Sequence, residues 1–398
     1  MKITYGKNVY DNKEIKAVLK KLKKTTQMGV AVSTFEKKIA KLFSKKYGLM
    51  VNSGSSALTL ANNVLNFKNG DEVITPCLNF GTAVSSIILS GATPIFVDID
   101  INTLQINTLK IEDKISSKTK GIIVPNLIGN IPNWKKIRDI ANKFKLKVIE
   151  DSADTLGATI NNKSTGIYSD ISITSFYGSH VISCAGNGGM LLTNNKMIYK
   201  KAKVLRSWGR MSTLIKDSEN IKKRLNIKIN GFDFDKKFVF SEVGYNFEPS
   251  EIGAAFGLEQ LKKFKRFSYK RNKNFEMHAN FFSRYKNFFI VPTIQKNVKT
   301  NFLAYPIIIK ENKKFDRKKL QIFLEKNNIQ TRPIFSGNVL RHPAFKNLIS
   351  TKNKLNSFKN SDYIMKNGLL IGCHQGLDRN KIKFIHNKVI KFITGKNY

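Results

Sequence analysis

The chain has 398 residues, enough for one large α/β domain and a smaller second one, each with its own core. Hydrophobic residues make up 41%, which excludes a disordered chain, and no apolar run reaches the roughly 18–20 residues that a bilayer crossing needs. Lys and Arg outnumber Asp and Glu by 69 to 28, a net charge of +41, yet the lysines are spread through nearly every segment; this argues for solvated faces, with attraction of an anionic substrate second and nucleic acid a poor third.

In chain order, Ile15, Val18, Leu19 and Leu22 fall on one face of a helix, and this stripe is expected to face the core; the first 30 residues carry no apolar signal segment. A second helix is expected over Phe35–Tyr47, with Phe35, Ile39, Leu42 and Phe43 inward. Strands are then predicted at Gly48–Val51, Glu72–Thr75, Thr93–Val97, Gly121–Pro125, Lys147–Glu150, Asp170–Ser175 and Met190–Thr193. Helical patterns at Ala57–Leu65, Gly81–Leu89 and Trp134–Phe144 separate many of them. Such βαβ repetition predicts a mainly parallel sheet with helices on both faces and a ligand at the strands' carboxyl ends. After Gly257 a long basic helix runs to about Tyr285, followed by a strand at Asn301–Ile309 and helices at Arg317–Asn327 and Asn380–Ile393. This places a large domain at 1–265 and a small α+β domain at 266–398.

Cys77, Cys184 and Cys373 are far apart, with no CxxC spacing; so sparse a set points to a reducing, cytoplasmic setting and argues against a metal or cluster site. Asn52-Ser53-Gly54-Ser55-Ser56 follows a strand and opens a helix, which makes either an anion site or simply a Ser-rich helix cap. Glu150-Asp151-Ser-Ala-Asp154 lies at a strand's carboxyl end, where a carboxylate can hold a pyridinium nitrogen or merely cap a loop. Ser175-Phe-Tyr-Gly-Ser179-His180 then leads through a polar turn to Gly188-Gly189.

These three elements, with Leu205-Arg-Ser-Trp-Gly-Arg210, Val243-Gly-Tyr-Asn246 and Ala254-Ala-Phe-Gly-Leu-Glu-Gln-Leu261, resemble the DegT/DnrJ/EryC1/StrS sugar aminotransferases over essentially the whole chain. The resemblance implies the type I aspartate aminotransferase fold, with a mainly parallel seven-stranded sheet. It also implies pyridoxal or pyridoxamine 5′-phosphate as cofactor. The family carries a Schiff-base lysine where this chain has His180, and no lysine occurs from Ser164 to Asn195 although 58 lysines are present. An imidazole cannot form that imine but can move protons near neutral pH. In this respect the chain is similar to the histidine-bearing NDP-4-keto-6-deoxysugar 3-dehydratases. One branch of these holds an iron–sulfur cluster on cysteines after the Trp-Gly-Arg segment. Here Met211–Lys216 has no cysteine, so the cluster-free, colitose-pathway type is expected.

By that resemblance, His180 is the catalytic base. Asp151 pairs with the ring nitrogen and Asp154 lies by the ring hydroxyl; Ser55, Ser56 and Ser175 bind phosphate, and Phe80 stacks on the ring. Asn246 reaches the neighbouring subunit's phosphate, which implies at least a homodimer. Arg332 and Arg341 are candidates for glutamate or the sugar diphosphate, and equally for surface charge. The implied reaction uses L-glutamate to form the pyridoxamine. It converts a nucleotide-linked 4-keto-6-deoxy sugar, GDP-linked hexose or heptose favoured, to a 3-deoxy-4-keto sugar plus ammonia, for surface-polysaccharide dideoxysugars. A sugar 4-aminotransferase and a non-catalytic regulatory relative are the alternatives.

Overall fold

Short apolar runs ending in Gly, Asn and Ser become the seven strands of the main sheet in the computed structural model, which describes residues 1–215 and 217–395. Lys216, at the end of the cysteine-free stretch, and residues 396–398 of the expected small domain lie outside the described residues. The strands are β1 (Tyr47–Val51), β2 (Glu72–Pro76), β3 (Thr93–Val97), β4 (Thr119–Pro125), β5 (Lys147–Ser152), β6 (Ile171–Ser175) and β7 (Gly189–Thr193). Their spatial order is β1-β7-β6-β5-β4-β2-β3. The pairs from β6 across to β3 are parallel, and β7 runs antiparallel to both its neighbours. Helices α1 (Asn12–Leu22), α2 (Val30–Leu42), α3 (Gly54–Val64), α4 (Gly81–Leu89), α5 (Trp134–Lys143) and α6 (Lys196–Arg206) are added around this sheet.

Alternation along the strands splits the core in two. Ile123 and Ile149 pack on the side of α3, whereas Ile122, Val124 and Val148 pack against Trp134 and Ile137 of α5. Each such fully buried aliphatic contributes about 1.5–3 kcal/mol of hydrophobic stabilisation. The long helix α7 (Glu251–Phe282) passes residue 265 unbroken. Its first turns, with Ala254 and Ala255, pack with Phe35 and Phe176; its last, with Phe275 and Phe282, join Ile3, Phe289 and Tyr305. A second sheet follows, from β8 (Phe289–Ile290), β9 (Ala304–Ile309), β10 (Thr331–Pro333) and β11 (Gly368–Gly372), ordered β8-β9-β11-β10 and antiparallel throughout.

Two expectations are corrected. The stripe of α1 does not face this chain's core: Ile15, Leu19 and Leu22 are 44%, 50% and 53% exposed. The helix docks through a buried carboxylate instead, Glu14, which accepts from Gln260 Nε2 and Lys263 Nζ of α7, each at 2.6 Å. The second helix stops at Leu42 rather than Tyr47, because Ser44 turns into the left-handed region (φ 53°) and Tyr47 is taken by β1. Among the described residues no helix is long and apolar enough to cross a membrane.

Candidate active site

The carboxyl ends of β5 and β6, the N-terminus of α3 and the turn that carries His180 meet at a cavity of about 820 Å³. Ser53 caps α3 by accepting from the Ser56 amide at 3.1 Å, leaving Gly54 and Ser55 at the cavity wall. Gly54 is needed for close approach: a Cβ there would stand 2.8 Å from the Cβ of Ser175. A helix N-terminus flanked by the Ser55 and Ser175 hydroxyls suits a phosphate.

Glu150 and Asp151 are neighbours in sequence but face opposite sides of β5. Glu150 is fully buried beneath the site and accepts from Asn126, Ser152, Thr165 and Ser172. Asp151 opens on the cavity, where one oxygen accepts from the Ala153 amide at 3.0 Å. Burial pushes its carboxyl up to about 6, against the Ala153 hydrogen bond and with help from Glu150. Asp154 accepts from the Ile128 amide at 2.8 Å, and Ile128 is held at φ 62°. Burial, reinforced by Asp151, pushes Asp154 up to about 7.

His180 lines the same cavity. Its amide donates to the Tyr177 carbonyl at 2.9 Å, and its ring meets Tyr177 edge-on at 5.9 Å. Nδ1 is buried and has no hydrogen-bond partner among the described residues. Burial first, then the nearby Arg271 guanidinium, hold the imidazole down at about 4, so it is neutral and able to take a proton at pH 7. Two carboxylates without a cation and a neutral imidazole with a free nitrogen suit a cationic ring and a proton transfer. The donor set fits pyridoxal or pyridoxamine phosphate.

Of the other residues singled out in the sequence, Phe80 and Arg332 line the cavity. Arg332 lies over the Tyr5 ring, 5.7 Å from its centroid. Ser56, Asn246 and Arg341 do not line it. The Ser56 hydroxyl is spent on Asn52 Oδ1 at 2.6 Å, and Arg341 forks onto Asp362 at 2.5 and 2.6 Å. Asn246 lies beside Asn52, its carbonyl 3.5 Å from Asn52 Nδ2. Sequence reasoning missed the roles of Tyr5 and His342 in the wall.

The raised carboxyl of Asp154 has a stability consequence. Folding favours its protonated form, so the stabilisation is complete below its ordinary value and is lost as pH rises through about 7. Asp154→Asn is therefore expected to stabilise the cofactor-free protein by on the order of 1–3 kcal/mol at pH 8 and hardly at pH 4. Thermal melts at both pH values check this, and an equal shift at both would refute it.

Residues 8–390 match the family described as DegT/DnrJ/EryC1/StrS aminotransferases. The lipopolysaccharide biosynthesis protein RfbH of Salmonella typhimurium is 32% identical over 375 residues, covering 92% of this chain and 85% of that protein. The GDP-4-keto-6-deoxy-D-mannose 3-dehydratase of Escherichia coli is 33% identical over 377 residues, covering 92% of this chain and 94% of the enzyme. A crystal structure of GDP-4-keto-6-deoxymannose-3-dehydratase with a trapped PLP-glutamate geminal diamine matches with a TM-score of 0.84 at 31% identity, over 97% of this chain and 99% of the other.

Proposed function

Because this chain belongs to the DegT/DnrJ/EryC1/StrS aminotransferase family, we propose that it is a pyridoxamine-phosphate-dependent 3-dehydratase of a GDP-linked 4-keto-6-deoxy sugar. The observation that carries this reading is His180 in the wall of a cavity whose lining among the described residues includes no lysine. The named relatives, 3-dehydratases and a lipopolysaccharide biosynthesis protein among them, support the substrate class and a place in dideoxysugar supply for surface polysaccharide.

Bound here, pyridoxamine phosphate supplies an amine for the C4 ketone and a ring that draws electrons away from it. Ser55, Ser175 and the α3 amides would hold its phosphate, Phe80 would cover the ring face, and Asp151 would keep the ring nitrogen protonated. Asp154 would lie beside the ring hydroxyl. With the cofactor bound, the His180 imidazole would take a proton from the carbon bearing the amine and return it to the departing C3 hydroxyl, which would leave as water. Over the cycle, the sugar and L-glutamate give the 3-deoxy-4-keto sugar, 2-oxoglutarate and ammonia. No cysteine follows Arg210 before Cys373, which favours the cluster-free route.

The active unit is at least a homodimer. The outward stripe of α1 and, separately, Phe232, Phe238, Phe240 and the 96% exposed Val243 leave apolar side chains bare that a second subunit would cover. By the family resemblance, Asn246 of the partner subunit would complete the phosphate site. Three buried free cysteines suit the cytoplasm.

Given L-glutamate and a GDP-4-keto-6-deoxyhexose, the enzyme is expected to release one ammonia per deoxygenated sugar, and borohydride treatment of the holoenzyme should fix no cofactor to the chain. A 4-amino sugar product with a lysine adduct would return it to the aminotransferases.

A further inference from the structure

Arg271 lies in the middle of α7, is fully buried, and among the described residues bonds to no carboxylate. Burying a guanidinium is costly unless every N–H is satisfied. Here all five are, and by neutral oxygens only. Nε donates to Gln375 Oε1 at 2.7 Å, and Nη1 donates to the Phe302 and Leu303 carbonyls, both at 3.0 Å. Nη2 donates to the carbonyls of Ser179 at 3.2 Å and His180 at 3.0 Å. Gln375 adds a second tie to the same turn, from its Nε2 to the Val181 carbonyl at 3.5 Å.

The other arm of the guanidinium leads to Asp154. Arg271 holds the Leu303 carbonyl, the Leu303 amide donates to the Ile128 carbonyl at 2.9 Å, and the Ile128 amide donates to Asp154 at 2.8 Å. One planar, rigid fork thus joins the backbone under His180 to the segment that aims Asp154. The turn is also backed from the opposite side by Gly6, where a Cβ would come within 2.7 Å of the Ser179 Cβ.

We propose that Arg271 is a positioning residue that fixes the His180 turn relative to Asp154, and so sets where the imidazole meets the reacting carbon. This rests on the reading of His180 as the base. Arg271 does not line the cavity. Its charge adds a smaller contribution to burial, the main cause, in disfavouring a second positive charge on His180. Lysine cannot replace it, because an ammonium has three donors and no fork.

The test compares Arg271→Lys with the unaltered protein by amide hydrogen exchange without cofactor, and by the single-turnover rate of the glutamate half-reaction in the holoenzyme. Exchange should rise roughly tenfold at 179–181 and 302–304 and stay unchanged in α2 and α5. The rate at saturating glutamate should fall about 100-fold with half-saturation unmoved, as for a base displaced by about an ångström. Unchanged exchange at 179–181, or local loosening with a normal rate, overturns the proposal. If Arg271→Lys loses protection everywhere, Gln375→Ala decides: loosening at Val181 with a smaller rate loss supports the clamp, and no change at either sinks it. Retained turnover in His180→Asn would instead remove the underlying reading, while the exchange measurement still reports on the clamp.

Discussion

Replacing His180 by Asn is expected to lower both the glutamate half-reaction and sugar dehydration by about 10²–10⁴-fold while leaving cofactor binding intact. Asn nearly matches the imidazole's first atoms and keeps a polar group in the cavity, so packing of the turn should survive. It cannot accept and return a proton. Binding should survive because the phosphate and ring contacts are assigned to α3, β5 and the residues just after it, β6 and Phe80 at the start of α4, not to the turn. The absorbance of bound pyridoxal phosphate reports occupancy, and single-turnover decay after glutamate addition reports the rate. Loss of cofactor together with rate would make His180 a binding residue. Normal turnover would remove it from the chemistry altogether.

The strands were readable because each apolar run is short, bounded by turn residues and followed by a helical period; Thr93–Val97 and Gly81–Leu89 fall where expected to the residue. The cavity's carboxylates and serines were readable for a related reason, since local motifs sit at strand ends and parallel sheets bind there. What could not be read is set by distant partners. Periodicity says that α1 has an apolar face but not what covers it, and the buried Glu14 that docks this helix resembled a solvated charge. Arg271 was hidden in the same way, as one cation among many in a basic helix. Its carbonyl partners lie at 179, 180, 302 and 303, far off in sequence. The fork of Arg341 on Asp362 is equally long-range. Cys77, Cys184 and Cys373, dispersed in sequence, also lie in three separate core clusters.

Asp151→Asn is expected to slow the glutamate half-reaction by about 10²–10³-fold, the scale seen when a single preorganised electrostatic contact is removed from a reacting centre. The buried carboxylate is unstable alone, which is why its carboxyl sits near 6, and a protonated ring nitrogen gives it the cation it lacks. Amide nitrogen in its place cannot hold that proton. Asp151→Asn should therefore leave the protein at least as stable without cofactor at pH 8, yet poorly active with it. Glu150 gives the contrasting case one residue away. Its carboxylate faces the opposite side of β5 and receives four side-chain donors. Glu150→Gln should cost about 1–3 kcal/mol of stability through mismatched buried hydrogen bonds, with far less effect on rate. If instead Glu150→Gln were the inactive variant and Asp151→Asn turned over normally, the strand's two faces would have the opposite roles, and the cofactor ring could not lie against Asp151.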